Sequence, residues 1–144
     1  MNEDRPWVAA DCVVFDTHDR LLLIRRKNEP YKGCYAFPGG FVELGEATES
    51  AALRELKEET GLVGEDPRLV GVYSKPDRDP RHHCISVAYL LFVNATTPTA
   101  GDDAASAEFV EEWAKLSLAF DHNEILRDAL QLRASLQAIM GKHG

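Results

Sequence analysis

From Trp7 to Asp16 the chain is apolar and β-branched, and after the polar step Thr17-His18-Asp19 a second apolar run extends from Leu21 to Arg26. Two such runs around a turn predict a hairpin. Lys27 to Cys34 is polar and holds Pro30 and Gly33, so a loop follows. Tyr35 to Val42 is interrupted by Pro38-Gly39-Gly40, which predicts a short strand, a tight turn and another short strand. The two glycines there can take backbone angles closed to other residues.

Thr48 to Thr60 is rich in helix formers, with Ala52, Leu53 and Leu56 as an apolar stripe and Gly61 as the C-terminal stop. Leu69 to Tyr73 and Ile85 to Val93 alternate or run apolar as strands do, separated by the polar stretch Ser74 to Cys84. Asn94 to Ala107 is small and polar and predicts a loop; Phe109 to Leu116 predicts a last strand. Ile125, Ala129, Leu132, Leu136 and Ile139 recur at helical spacing, with Asp121 as a cap and Glu124 three residues on. No repeat and no linker interrupts the pattern, so residues 1–144 are expected to form one mixed α/β domain.

Composition narrows the class. The chain is 44% hydrophobic and 28% charged, which excludes disordered and collagen-like readings. No apolar run approaches the roughly 20 residues of a membrane span, and the polar N-terminus has no signal-peptide core. A cytoplasmic protein with no membrane partner is expected. Cys12, Cys34 and Cys84 are scattered and odd in number, which argues against a disulfide framework and a zinc site. A net charge of −8 disfavours nucleic acid as a partner. An acidic protein still binds an anionic substrate where a metal ion or an Arg cluster reverses the local field.

Such a place exists on the first helix. Glu55, Glu58 and Glu59 stand at i, i+3 and i+4 and share one face. Carboxylates at that spacing repel one another by about 0.2–0.5 kcal/mol per pair, a penalty that a hard divalent cation removes. Arg54 can pair with a carboxylate and fix its rotamer, and Glu46 is a candidate partner. The glycines before the helix leave backbone carbonyls open to the same ion. A Glu-rich helix alone is more often a solvated face, so the wider spacing has to decide.

That spacing is Gly40, five residues, Glu46, seven residues, Arg54-Glu55-Leu56, one residue, Glu58-Glu59, one residue, Gly61-Leu62. It resembles the Nudix box at every defined position. The order of elements also resembles the Nudix α/β/α sandwich, with a mixed central sheet, a box helix and a C-terminal helix. The resemblance implies a pyrophosphohydrolase that uses two or three Mg²⁺ or Mn²⁺ ions to direct water at a diphosphate. It implies Glu55, Glu59 and Glu58 with the carbonyl of Gly39 as metal ligands. Arg54 would orient the carboxylates, and Gly40, Glu46 and Gly61 would shape the box. A homodimer is expected by the same resemblance.

Substrate choice lies in the loops. Ser74-Lys75-Pro76-Asp77-Arg78-Asp79-Pro80-Arg81-His82-His83, and the tail Ala119-Phe120-Asp121-His122, resemble the ADP-ribose pyrophosphatase branch of that family. Arg78 and Arg81 offer guanidinium forks for phosphate or ribose oxygens, with Ser74 and Asp79 as further contacts. The bland alternative is a surface loop whose arginines pair with neighbouring aspartates. His82, His83 and His122 could assist. For the general base, Glu108 and Asp103 are the candidates, although a solvated carboxylate is the commoner reading of each. The expected reaction is hydrolysis of ADP-ribose to AMP and ribose 5-phosphate. Another nucleoside diphosphate derivative or a modified nucleoside triphosphate is the second reading. A non-catalytic ADP-ribose sensor is the third, disfavoured by the full set of glutamates and by a length that leaves little room for a DNA-binding extension.

Overall fold

The computed structural model describes residues 4–93, 98–101 and 104–143. Its elements in chain order are β1 (Trp7–Val14), β2 (Leu21–Arg26), β3 (Tyr35–Ala36), β4 (Gly39–Phe41), α1 (Thr48–Thr60), β5 (Gly64–Tyr73), β6 (Cys84–Val93), β7 (Ala104–Val110), a 3₁₀ turn at Trp113–Lys115, and α2 (His122–His143). Four strands form a mixed sheet in the order β4-β1-β6-β5, and three form a second sheet in the order β3-β2-β7. β1 runs parallel to β6 and antiparallel to β4, while β5 runs antiparallel to β6.

The faces of β1 organise the layers. Successive side chains of a strand point to opposite sides. Ala10, Cys12 and Val14 face α1, where they pack with Ala51, Ala52 and Leu56. Val13 faces the other way, into a cluster with Leu21, Leu23, Ile125, Leu126 and Ala129 of β2 and α2. The sheets are thus covered by a helix on each side, as the α/β/α reading expects.

Three expectations are corrected. β1 and β2 do not pair as a hairpin, although the turn between them is present: Asp16 accepts from the backbone of His18 and Arg20 at 2.9 and 2.8 Å. A strand has two edges, and both edges of β1 are taken by β4 and β6. Among the described residues the isolated bridge Phe15–Leu21 is the one ladder link between the runs, and β2 crosses to the second sheet. The predicted loop from Asn94 to Ala107 overlaps β7, whose small residues Ala104 to Ala107 hide a strand paired with β2. The predicted last strand accordingly ends at Val110 and gives way to the 3₁₀ turn.

β5 also begins earlier than expected, at Gly64, and tolerates Pro67 because it is an edge strand with an irregular register between Glu65 and Arg68. α1 ends as predicted: Gly61 takes φ +74 and donates to the Lys57 carbonyl at 2.8 Å. At the start of α2 the Asp121 carbonyl accepts from the N–H groups of Glu124 and Ile125 at 2.9 and 3.2 Å, while its carboxylate oxygens accept from Arg78.

Leu56 has no exposed surface and joins α1 to the sheet. Leu56→Ala is expected to lower unfolding free energy by about 2–5 kcal/mol. Urea denaturation checks this, and a loss under about 1 kcal/mol would show that α1 is not held by this contact.

Candidate active site

Arg54 is the hub of the acidic face. Its Nε and Nη2 donate to the two oxygens of Glu46 at 2.7 and 2.9 Å, a bidentate pair. Nη2 also donates to the Phe41 carbonyl at 3.0 Å. Nη1 donates to Glu55 at 2.8 Å and to Glu58 at 3.2 Å. One guanidinium therefore ties the loop before α1 to two carboxylates on α1 itself. The Arg54 bond and the Glu43 backbone N–H pull the Glu46 carboxyl down from 4.5 to about 2, and the same pair raises the pKa of Arg54.

The two glycines of β4 let the helix approach. Neither takes a left-handed conformation, contrary to the tight turn read from the sequence; close contact is what requires them. A Cβ on Gly40 would lie only 2.6 Å from Oε2 of Glu55, and one on Gly39 would overlap the carboxylate of Asp11 and the Ala10 carbonyl. The Gly39 N–H donates to Glu59 Oε2 at 3.3 Å. Gly39, Gly40, Glu55 and Glu59 all line one cavity of about 300 Å³. Glu58 lies outside its lining, more than half exposed on the flank of Arg54.

Arg78, Asp79 and Arg81 line the same cavity, but both guanidinium forks already hold carboxylates. Arg78, 5% exposed, binds Asp121 through Nε and Nη2 at 2.9 and 2.6 Å and fastens the loop to α2. Burial would depress its pKa, but Asp121 outweighs this and the net shift is upward. Arg81 grips buried Asp79 at 3.1 and 2.7 Å. The aspartate-pairing alternative thus describes both arginines, with Asp121 rather than Asp77 as the partner of Arg78. Ser74 is not in the lining: its carbonyl accepts from His83 at 2.9 Å, beside a smaller recess with Tyr73 and Glu124. Glu108 is also elsewhere, because β7 exposes it and the Tyr35 hydroxyl donates to it at 2.6 Å. Asp103 lies outside the described residues.

Sequence reasoning missed Arg26, Asp11 and the buried setting of His122. Arg26, at the end of β2, lines the cavity, donates to the Pro30 carbonyl at 2.6 Å and lies 4.9 Å over the ring of Phe120. Among the described residues it has no carboxylate within 4 Å, and burial lowers its pKa. His122 is 3% exposed and accepts the Phe37 N–H on Nδ1 at 3.1 Å. Burial holds its pKa down, with Arg78 and Arg26 pushing the same way against the opposing pull of Asp11. The available signal was Asp11 itself, an acidic residue inside an otherwise buried apolar run.

The donor set suits a hard divalent cation, with two cavity-lining carboxylates beside the glycine backbone of β4. Among the described residues, no three carboxylate, His or Cys side chains converge closely enough to hold an ion as they stand. Arg54 holds Glu55 in this arrangement.

The family model for the NUDIX domain matches residues 5–133. An ADP-ribose pyrophosphatase from Methanocaldococcus jannaschii is 51% identical over 126 residues, covering 88% of this chain and 74% of that protein. An ADPR responsive transcriptional repressor from Acinetobacter baylyi is 33% identical over 132 residues, 86% of this chain but only 53% of its own length. Among solved structures, a MutT/nudix family protein from Enterococcus faecalis superposes with a TM-score of 0.83 at 32% identity, covering 94% of this chain and 64% of that one. The NUDIX domain of Shewanella oneidensis NrtR, solved with ADP ribose, gives 0.81 at 25% identity and 88% coverage of both chains.

The depressed pKa of Glu46 sets a pH dependence. A carboxyl lowered on folding adds stability above its unfolded value, and that stability is lost as pH falls from 4.5 toward about 2. Glu46→Gln is expected to be less stable at neutral pH and to lose less on acidification through this window. Denaturation midpoints across the window check it; parallel acid limbs for the two proteins would contradict it.

Proposed function

This chain belongs to the Nudix family, and on that premise we propose that it hydrolyses the diphosphate linkage of ADP-ribose, releasing AMP and ribose 5-phosphate. One observation carries the reading: Glu55 and Glu59 line a cavity that also holds Arg26, a guanidinium without a carboxylate partner among the described residues. The cavity therefore offers carboxylates for cations and a fork for phosphate. The pyrophosphatase from Methanocaldococcus jannaschii, half identical to this chain, supports ADP-ribose as the substrate.

In this reading Glu55, Glu59, outlying Glu58 and the Gly39 carbonyl hold two or three Mg²⁺ or Mn²⁺ ions. When bound, such ions neutralise the diphosphate and lower the pKa of the attacking water. Arg54 positions Glu55, and Arg26 orients a phosphate by charge-assisted hydrogen bonds. Arg78 and Arg81 shape the cavity through Asp121 and Asp79, with any substrate contact made by edges those carboxylates leave open. With Glu108 directed at Tyr35, the proton acceptor is sought among the carboxylates of the cavity itself.

We place the enzyme in the cytoplasm, a reading supported by three free cysteines, Cys12 and Cys84 buried and Cys34 half-buried. Among the described residues no helix is long and apolar enough to cross a membrane. A homodimer, with neither nucleic acid nor membrane as partner, completes the reading. A second reading, ADP-ribose sensing, is favoured by the Shewanella oneidensis domain solved with that ligand.

Turnover of a nucleotide panel with Mg²⁺ and with Mn²⁺ tests the proposal. ADP-ribose is expected to be the best substrate, ahead of NADH, a dinucleoside polyphosphate, a sugar nucleotide and normal or oxidised triphosphates. Another preferred diphosphate would overturn the substrate, and tight ADP-ribose binding without turnover would turn the reading to the sensor. Glu59→Gln is expected to lose about a hundredfold or more in kcat with an unchanged thermal midpoint. Arg26→Ala is expected to raise KM about tenfold with little change in kcat. Steady-state kinetics check both, and near-normal activity in Glu59→Gln would contradict the metal assignment.

A further inference from the structure

Asp11 is a buried carboxylate inside the active-site cavity that neither the Glu-rich helix nor the phosphate-binding fork accounts for. It is 8% exposed and sits on β1 on the face opposite α1. Ser86, fully buried on β6, donates its hydroxyl to Asp11 Oδ2. The same oxygen lies 3.9 Å from His122 Nε2. Because His122 Nδ1 accepts the Phe37 N–H, the neutral ring carries its proton on Nε2, the nitrogen turned toward Asp11. Ser86 therefore fixes Oδ2 by a hydrogen bond, while His122 lies near the same oxygen beyond hydrogen-bond distance. Oδ1 is the atom turned to Gly39, at the place where any other residue would put its Cβ.

A carboxylate in this position is costly unless it has work to do or partners to satisfy it. Of the guanidinium groups whose charge interacts with Asp11, Arg78 is held by Asp121 and Arg26 lies beyond 4 Å. Among the described residues, His122 is the only basic side chain within 4 Å of Asp11. A phosphate brought against such a carboxylate in a low-dielectric cavity is repelled. A neutral hydroxyl is attracted, as in the dinucleotide-binding folds where an acidic residue accepts from ribose.

We propose that Asp11, oriented by Ser86, is a specificity-determining residue that accepts a hydrogen bond from a hydroxyl of the terminal sugar, beyond the diphosphate. The inference rests on the proposed diphosphate hydrolysis at this cavity. It assigns the two ends of the substrate to different chemistry, with the charged linkage at Glu55, Glu59 and Arg26 and the neutral polyol at Asp11. Gly39 lets Asp11 keep this place, because a Cβ there would collide with Oδ1 and the Ala10 carbonyl.

The test pairs ADP-ribose with its analogue lacking hydroxyls on the terminal ribose, using wild type, Asp11→Asn and Ser86→Ala. In wild type the missing hydroxyls should raise KM roughly tenfold at similar kcat, as for a lost hydrogen bond to a charged group. In Asp11→Asn the two substrates should differ by less than about threefold, and Ser86→Ala should give an intermediate ratio. Equal losses on both substrates would overturn the proposal in favour of a structural role. So would a loss confined to kcat together with a raised Mg²⁺ requirement, which would make Asp11 part of the metal site. If Asp11→Asn does not fold by circular dichroism, the Ser86→Ala ratio decides. Failure of the wild type to turn over ADP-ribose would instead sink the substrate reading, and the comparison would move to the hydroxyl-bearing diphosphate it does hydrolyse.

Discussion

The guanidinium of Arg54 is the interaction on which the site depends. Three glutamates on one helical face repel each other, and α1 begins without a side-chain cap to offset that strain. Arg54 offsets the repulsion by bonding Glu55 and Glu58 on the helix, and it ties the helix to Glu46 and the Phe41 carbonyl in the preceding segment. A lysine could not do this, since the planar fork reaches several oxygens in fixed directions. The result is an acidic surface held in register before any cation or substrate arrives.

That surface works only because the sheet edge beside it is glycine. β4 lies at the edge of the four-stranded sheet, and α1 packs against it so closely that Gly40 touches the Glu55 carboxylate. Gly39 serves the other side of the same strand, giving its N–H to Glu59 and its bare face to Asp11. β1 supplies the depth: its alternate residues seat α1 on one face, while Asp11 on the other meets His122 at the start of α2. Packing and chemistry thus share the same strands, and the cavity is a seam between the two covering layers.

The sequence disclosed the parts of this arrangement that are local. Glu55, Glu58 and Glu59 share a face by helical geometry, and Gly61 ends the helix where predicted. Arg54 and Glu46 are eight residues apart yet legible as a pair, because the box spacing has a known shape. What stayed hidden depends on contacts distant in the chain. The partner of Arg78 is Asp121, 43 positions away, so neighbouring aspartates misled. Glu108 was indistinguishable from a base until β7 paired with β2 and turned it toward Tyr35. The hairpin reading of β1 and β2 failed for a similar reason, since a local turn cannot reveal that both edges of β1 are already occupied. Small residues in β7 carried too little apolar signal to be seen as a strand.

On the proposed reading, this acidic protein binds an anionic diphosphate through cations held by Glu55 and Glu59. Calorimetric titration of Mn²⁺ into the protein, with and without a non-hydrolysable ADP-ribose analogue, tests it most directly. The analogue is expected to tighten Mn²⁺ binding, and Glu55→Gln to abolish this coupling while the fold persists. Tight binding of the analogue without Mn²⁺, unchanged in Glu55→Gln, would contradict it.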